Sequence, residues 1–274
     1  MGQDQAARRC EGRVHTDARM GARTRARHGW QAWRRAPLAL AAWALLSAAA
    51  TQAQAIAEQL AACKAEGAVV EARISACSKV IEGAKDDEEI RTEAHLQRGV
   101  LHELAGNREA AISDYSEIIK LDPTNAVAYF NRGNAYDQLG EHDLAIADYT
   151  EAIKLDPTDP DAFNNRGQAY DNKGEYDLAI ADYTESIRLA KDNPRAFFNR
   201  GLALAIQGEP ERAVADFSQA IKLEPGDAEA YVNRGAAYEE LGNEAAARAD
   251  YRKALEIAPD HEEAKEALAR LSAN

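Results

Sequence analysis

Between residues 92 and 261 the apolar and polar positions repeat on two scales, one inside the other. The short scale is helical. In residues 126–159, Tyr129, Gly133 and Tyr136 share one face at helical spacing, and Ala145, Ile146, Tyr149, Ala152 and Ile153 form a second apolar stripe. Gly140 separates the stripes where a helix must end in a positive φ, which glycine adopts cheaply. Pro157 closes the second helix, because proline lacks an N–H and clashes with the preceding turn. The long scale is 34 residues. Arg-Gly recurs at Arg98, Arg132, Arg166, Arg200 and Arg234, and a further glycine at Gly106, Gly140, Gly174, Gly208 and Gly242. An acid-aromatic step recurs at Asp114, Asp148, Asp182, Asp216 and Asp250. The closing proline appears at Pro123, Pro157, Pro225 and Pro259, with Lys191 as the exception. A copy then opens on a capping acceptor with a proline at the first helical position, as in Asp159-Pro160 and Asn193-Pro194. Asp227 and Asp260 are expected in the same capping slot, and Gly133 is expected to face Ala145 across the helix pair.

A self-similar period of 34 residues with these small and aromatic slots resembles the tetratricopeptide repeat family, in the form of an exported bacterial member. The aromatic opening slot holds Tyr129, Phe163, Phe197 and Tyr231, with His95 in the first copy. The resemblance implies an all-α fold, an α-solenoid of antiparallel helix pairs. Its five full repeats run over 92–125, 126–159, 160–193, 194–227 and 228–261. It also implies a concave groove that binds peptides or protein segments, no catalytic activity and no cofactor.

The flanks differ from the repeats. Of the net charge of −13, the first 55 residues hold nine arginines and three acids, hence +6, which leaves −19 on the rest. Nucleic acid is therefore not expected as a partner, since phosphate binding needs a basic face. The leader is Arg-rich to Arg35, apolar from Ala36 to Ala50, and ends in Ala53-Gln54-Ala55. These are the three parts of a secretory signal peptide, with an uncleaved anchor as the alternative. The expectation is a periplasmic or secreted protein with no stable membrane span after cleavage, the apolar run being short for one.

Residues 56–91 read as a degenerate helix pair, with helices over 56–67 and 69–83 that carry Cys63 and Cys77. In an oxidising compartment this even pair is expected to form a disulfide, closing a loop of about 15 residues, with two buried thiols as the alternative. Residues 262–274 read as a capping helix, with Ala264, Ala267, Leu268 and Leu271 on its apolar side.

Two departures from the family pattern coincide in every copy. The arginine of each Arg-Gly step replaces an apolar residue, and the aspartate stands before the second-helix aromatic. We expect five structural ion pairs between Arg98, Arg132, Arg166, Arg200 or Arg234 and Asp114, Asp148, Asp182, Asp216 or Asp250, within a repeat or across to its neighbour. Asn131, Asn165, Asn199 and Asn233 precede those arginines and take a slot that lines the concave surface in the family. An amide there both donates to and accepts from an extended backbone, similar to the asparagine ladder of the O-linked N-acetylglucosamine transferase repeats. Asn134, Asp137, Asp171, Phe198, Leu202 and Ile206 are expected to add specificity to this groove, the last three as an apolar anchor patch. Glu93, Glu103, Asp161, Glu229, Glu239 and Glu240 make the groove acidic against Arg195. The expected partner is thus a basic protein or peptide segment with an apolar anchor. His95 and His102 are expected to pack rather than bind metal, because they lie two turns apart with no completing ligand. No catalytic motif is visible. The leading expectation is a non-catalytic scaffold. The alternatives are an envelope assembly factor binding through its convex face or edges, and an enzyme accessory subunit.

Overall fold

The computed structural model describes residues 36–273, with side chains over 49–272; the basic leader before Ala36 lies outside the described residues. The described chain is helical throughout, with thirteen helices and no strand among the described residues. It divides into two units, residues 1–53 and Gln54–Asn274. α1 (Ala36–Lys64) carries both the apolar run and the segment expected to begin a separate helix at Ile56. Its alanine-rich sequence has no glycine and no interior proline to stop it before Gly67. Among the described residues no helix is long and apolar enough to cross a membrane.

From α2 onward the fold is a file of antiparallel pairs. α2 (Val70–Gly83) packs on α3 (Glu88–Leu104), which pairs with α4 (Arg108–Leu121). The pairs α5 (Ala126–Gln138) with α6 (His142–Leu155), α7 (Pro160–Asn172) with α8 (Tyr176–Leu189), α9 (Pro194–Ile206) with α10 (Pro210–Leu223), and α11 (Ala228–Glu240) with α12 (Glu244–Ile257) follow. α13 (Glu262–Ala273) covers α12 and seats Ala264, Ala267 and Leu271 in the last core layer. α3 starts four residues ahead of the expected boundary at residue 92, so the first repeat carries one extra turn.

The local signals act as their chemistry requires. The glycines that end each first helix have φ between 71° and 78°, and Gly67 adds a further case at 79°. The side chains of Asn125, Asp159, Asn193 and Asp227 accept N–H bonds at the helix starts, as does Asp87 at α3. Asp260 does not continue that series: the 34-residue interval from Asp227 falls on His261, the residue just before α13. Asp122-Pro123-Thr124 and Asp156-Pro157-Thr158 form matching turns, in which the aspartate accepts both the threonine N–H and its hydroxyl.

The glycine of each Arg-Gly step lies against the aromatic ring of the second helix. A Cβ on Gly133 would lie 2.9 Å from Tyr149 ring carbons, and one on Gly167 2.9 Å from Tyr183. Tyr115, Tyr149, Tyr183, Phe217 and Tyr251 are fully buried by this contact. The small slot thus accommodates a ring.

At the N-terminal end Cys63 and Cys77 form a disulfide, with Cα atoms 4.9 Å apart. Both are fully buried and pack with Ala76 and with Leu101 of the first repeat. Ala76-Cys77-Ser78 stands in the register of Asp114-Tyr115-Ser116, so a cysteine occupies the place of the buried ring.

Candidate interaction surface

Three sets of side chains line up along the first helices. Successive first helices touch: α5 meets α7, α7 meets α9, and α9 meets α11, which makes theirs the inner side of the file.

The innermost set is a clamp. Arg132, Arg166, Arg200 and Arg234 each grip the aspartate of their own repeat with two bonds of 2.7–2.8 Å, and Arg98 holds Asp114 in the same way. The remaining arm reaches back to a hydroxyl of the preceding pair: Ser78, Ser116, Thr150, Thr184 or Ser218, at 2.8–3.1 Å. Three of the guanidinium groups lie between two rings, as Arg132 does between Tyr129 and Tyr136, with carbon-to-centroid distances of 5.6–6.0 Å. Among the described residues Arg200 stacks on Phe197 alone, because Leu204 fills the other position. The expected pairing therefore falls within the repeat, and the hydroxyl that joins repeats was not anticipated. Its signal was present as a Ser or Thr two residues after the aspartate in four copies, and Arg252 replaces it in the last, where no further arginine follows.

In the first repeat His95 and His102 take the two ring positions. His95 does more than pack: its Nδ1 lies 2.8 Å from Asp114 Oδ1. Burial pushes the Asp114 carboxyl up, but bonds from His95 and Arg98, with their charge, outweigh it and hold it below the usual carboxylate range. Among the described residues no group of three or more metal-ligating side chains comes together.

The second set is an amide run across repeats two to four. The Tyr149 hydroxyl donates to Asn134 Oδ1 at 2.7 Å, and Asn165 Nδ2 donates to the same oxygen at 2.9 Å. Asn164 donates to Asn165 Oδ1, and Asn199 donates to Asn164 Oδ1, at 3.2 and 3.3 Å. Asn164 is fully buried in a slot that holds Phe130 and Phe198 in neighbouring repeats, and nothing in its own repeat announced that role. The expected ladder thus bonds partly to itself. Asn131 is half-buried on α5, and Asn233 donates to its own helix at the Glu229 carbonyl, 2.9 Å away.

The third set is a column of acids at Glu103, Asp137, Asp171 and Glu239, with Ala205 in the fourth repeat. Tyr115, Tyr183 and Tyr251 donate their hydroxyls to Glu103, Asp171 and Glu239. Where the acid becomes Ala205, the tyrosine becomes Phe217, so donor and acceptor disappear together. Asp137 pairs with His142 at 2.7 Å and Glu239 with Arg270 at 2.8 Å. Glu93 pairs with Lys64, Asp161 with Arg195, and Glu229 with His261. Glu240 is exposed. Partners from other helices therefore offset more of the acidic groove than its own slots suggest.

The expected apolar patch is not a single surface. Phe198 turns between repeats and packs on Phe217, with ring centroids 5.7 Å apart, and Leu202 joins the same layer. Ile206 alone stands out, 61% exposed. The reason is register: Phe198 lies one position before Asn199, on the side facing the next pair.

One consequence can be measured on Asp171. Burial raises its carboxyl above the ordinary range, and the Tyr183 hydroxyl opposes that rise. Tyr183→Phe should cost about 1 kcal/mol at neutral pH by removing the bond. A carboxyl with a raised folded pKa costs stability when ionised, so the penalty should shrink as pH falls through that pKa. Adding Asp171→Ala recreates the Ala205 and Phe217 pair and should recover most of the loss. Urea titrations from roughly pH 4 to pH 8 measure both effects, and a pH-independent penalty would contradict this account.

Comparison with known proteins assigns the class. Family profiles described as "TPR repeat" match residues 104–140 and 133–174, and profiles described as "Tetratricopeptide repeat" match 160–193 and 198–262. The chain belongs to the tetratricopeptide repeat family. Among solved structures it is similar to MamA, with 29% identity and a TM-score of 0.56 over 58% of this chain and 93% of that one. It is also similar to YrrB, titled "a TPR protein with an unusual peptide-binding site", with 26% identity and a TM-score of 0.61 over 71% and 98% of the two chains. MamA from Desulfovibrio magneticus RS-1, at 18% identity with a TM-score of 0.59 over 64% and 97%, shares the fold. No curated protein sequence matches the chain. The family and these neighbours make the repeats a protein-interaction scaffold.

Proposed function

We propose that this scaffold is an exported, non-catalytic adaptor that holds an extended basic protein segment along its first helices. The amide run carries the reading. Asn165 bonds to Asn134 and Asn164 within the run and lies within reach of the Tyr149 hydroxyl, and its second carbonyl lone pair remains for an extended backbone. Local folding gives little reason to place asparagine at four equivalent helical positions, since it is a mediocre helix former. YrrB is a precedent for peptide binding on such repeats. Glu103 and Asp171, the column acids without a salt bridge among the described residues, favour a cationic segment, and the Arg-rich leader with its apolar run, together with the disulfide, favours the periplasm or the cell exterior.

A peptide array probed with the protein at low and high salt tests this. Basic peptides should be retained, more weakly as salt screens the groove. Asn165→Ala with Asn199→Ala should lower affinity about tenfold, the worth of one or two hydrogen bonds, with thermal unfolding run in parallel to check the fold. Selection of acidic peptides, or indifference to both asparagines, would overturn it.

A further inference from the structure

The first repeat carries a cavity of about 440 Å³ that the sequence did not suggest, lined by Glu88, Glu89, Thr92, Glu93, Leu96, Leu121 and Asp122. Two departures from the regular repeat account for it. The extra turn of α3, residues 88–91, raises a wall that α5, α7, α9 and α11 lack. Leu96 stands where the second and fourth repeats have Phe130 and Phe198, so less volume is filled. The floor is aliphatic and the rim is anionic. Among the described residues, Lys64 is the one cation paired with this rim, on Glu93, which leaves Glu88, Glu89 and Asp122 without a cation. The N–H and hydroxyl of Thr124 both bond to Asp122 and favour its charged form.

We infer that this cavity is an anchor site for one arginine or lysine side chain of a bound protein. A long basic side chain has an apolar stem and a charged tip, and its stem prefers apolar surface while the tip stays hydrated. Here the stem lies over Leu96 and Leu121, and the head group sits among Glu88, Glu89 and Asp122. A purely apolar anchor would leave that rim unanswered, and an acidic one would be repelled by it. The inference rests on the reading of the chain as a receptor for basic segments. It places the anchor at the N-terminal end of the repeats, away from Phe198.

Single-residue probes separate this site from the groove. Isotope-labelled protein is titrated with N-acetyl-arginine amide and with N-acetyl-citrulline amide, which keeps the stem and loses the charge. The arginine probe should shift the amide signals of Thr92, Leu96 and Leu121 in a saturable way. The citrulline probe should bind roughly threefold to fivefold more weakly, the worth of one partly exposed charge pair. Leu96→Phe restores the side chain of the second and fourth repeats and should abolish the shifts with the fold intact. Glu88→Gln with Glu89→Gln should reduce the arginine response to the citrulline level. Equal response to the two probes, absence of shifts at these three residues, or shifts that survive Leu96→Phe would overturn the site. Because the signals read are those of Thr92, Leu96 and Leu121, which line the cavity and lie apart from the asparagines, a positive titration beside a blank peptide array would keep the cavity and overturn only the groove reading.

Discussion

Arg166→Leu should destabilise the protein by about 3–5 kcal/mol, the cost of stranding a buried charge. Asp182 is buried and receives both of its short bonds from Arg166, at 2.7 Å each. The same change removes the bond to Thr150 in the preceding repeat and the cation between Phe163 and Tyr170. The loss is therefore not that of an exposed ion pair, which is worth little. Arg166→Leu together with Asp182→Tyr restores residues usual in the family and should recover much of the loss, because neither charge is then left without its partner. Chemical denaturation of the two single variants and the double variant gives the coupling directly. A double variant as unstable as the sum of the singles would show that the two residues act independently.

Loss of the disulfide should cost about 3 kcal/mol, from the loop entropy of two cysteines separated by 14 residues. The effect should be local. Cys63 and Cys77 pack with Ala76 and Leu101 at the end of the file, where the helices have neighbours on one side only. Hydrogen exchange on Cys63→Ser with Cys77→Ser should show α2 and the start of α3 opening first, with α9 to α12 little changed. Protein purified from an oxidising compartment should also titrate with no free thiol at these two positions. Two reactive thiols in that protein, or uniform loss of protection along the chain, would contradict the prediction.

What the sequence revealed, and what it hid, follows from the range of each interaction. Helix ends rest on Gly140, Pro157 and Asp159, whose chemistry acts within a few residues, and these were legible. The Arg-Asp pairing was legible as well, because both members recur at one interval, although its placement within the repeat needed the structure. The hydroxyl of Thr150 was missed because it acts on the next repeat, where alignment of copies does not show who meets whom. The contact of Gly133 with the Tyr149 ring was hidden for a related reason: spacing along a helix gives the face, but not every residue opposite it. Asp260 suits a cap by residue type, but the 34-residue interval from Asp227 selects His261. The candidate surface was the least legible. Asn164 sits in a slot otherwise apolar or aromatic, and its bond to Asn199 exists only because α7 and α9 meet.

The clamp has a direction, and that direction bears on how such a chain can change length. Each arginine needs a hydroxyl supplied by the repeat before it, and the repeats of Asp114, Asp148, Asp182 and Asp216 each offer one to their successor. Duplicating or deleting an internal unit of 34 residues would leave every arginine with a hydroxyl behind it. Copying the final unit would not, because Arg252 would then confront the arginine of the added copy, cation against cation. Duplication inside the array therefore preserves the clamp, whereas duplication of the final unit breaks one link of it.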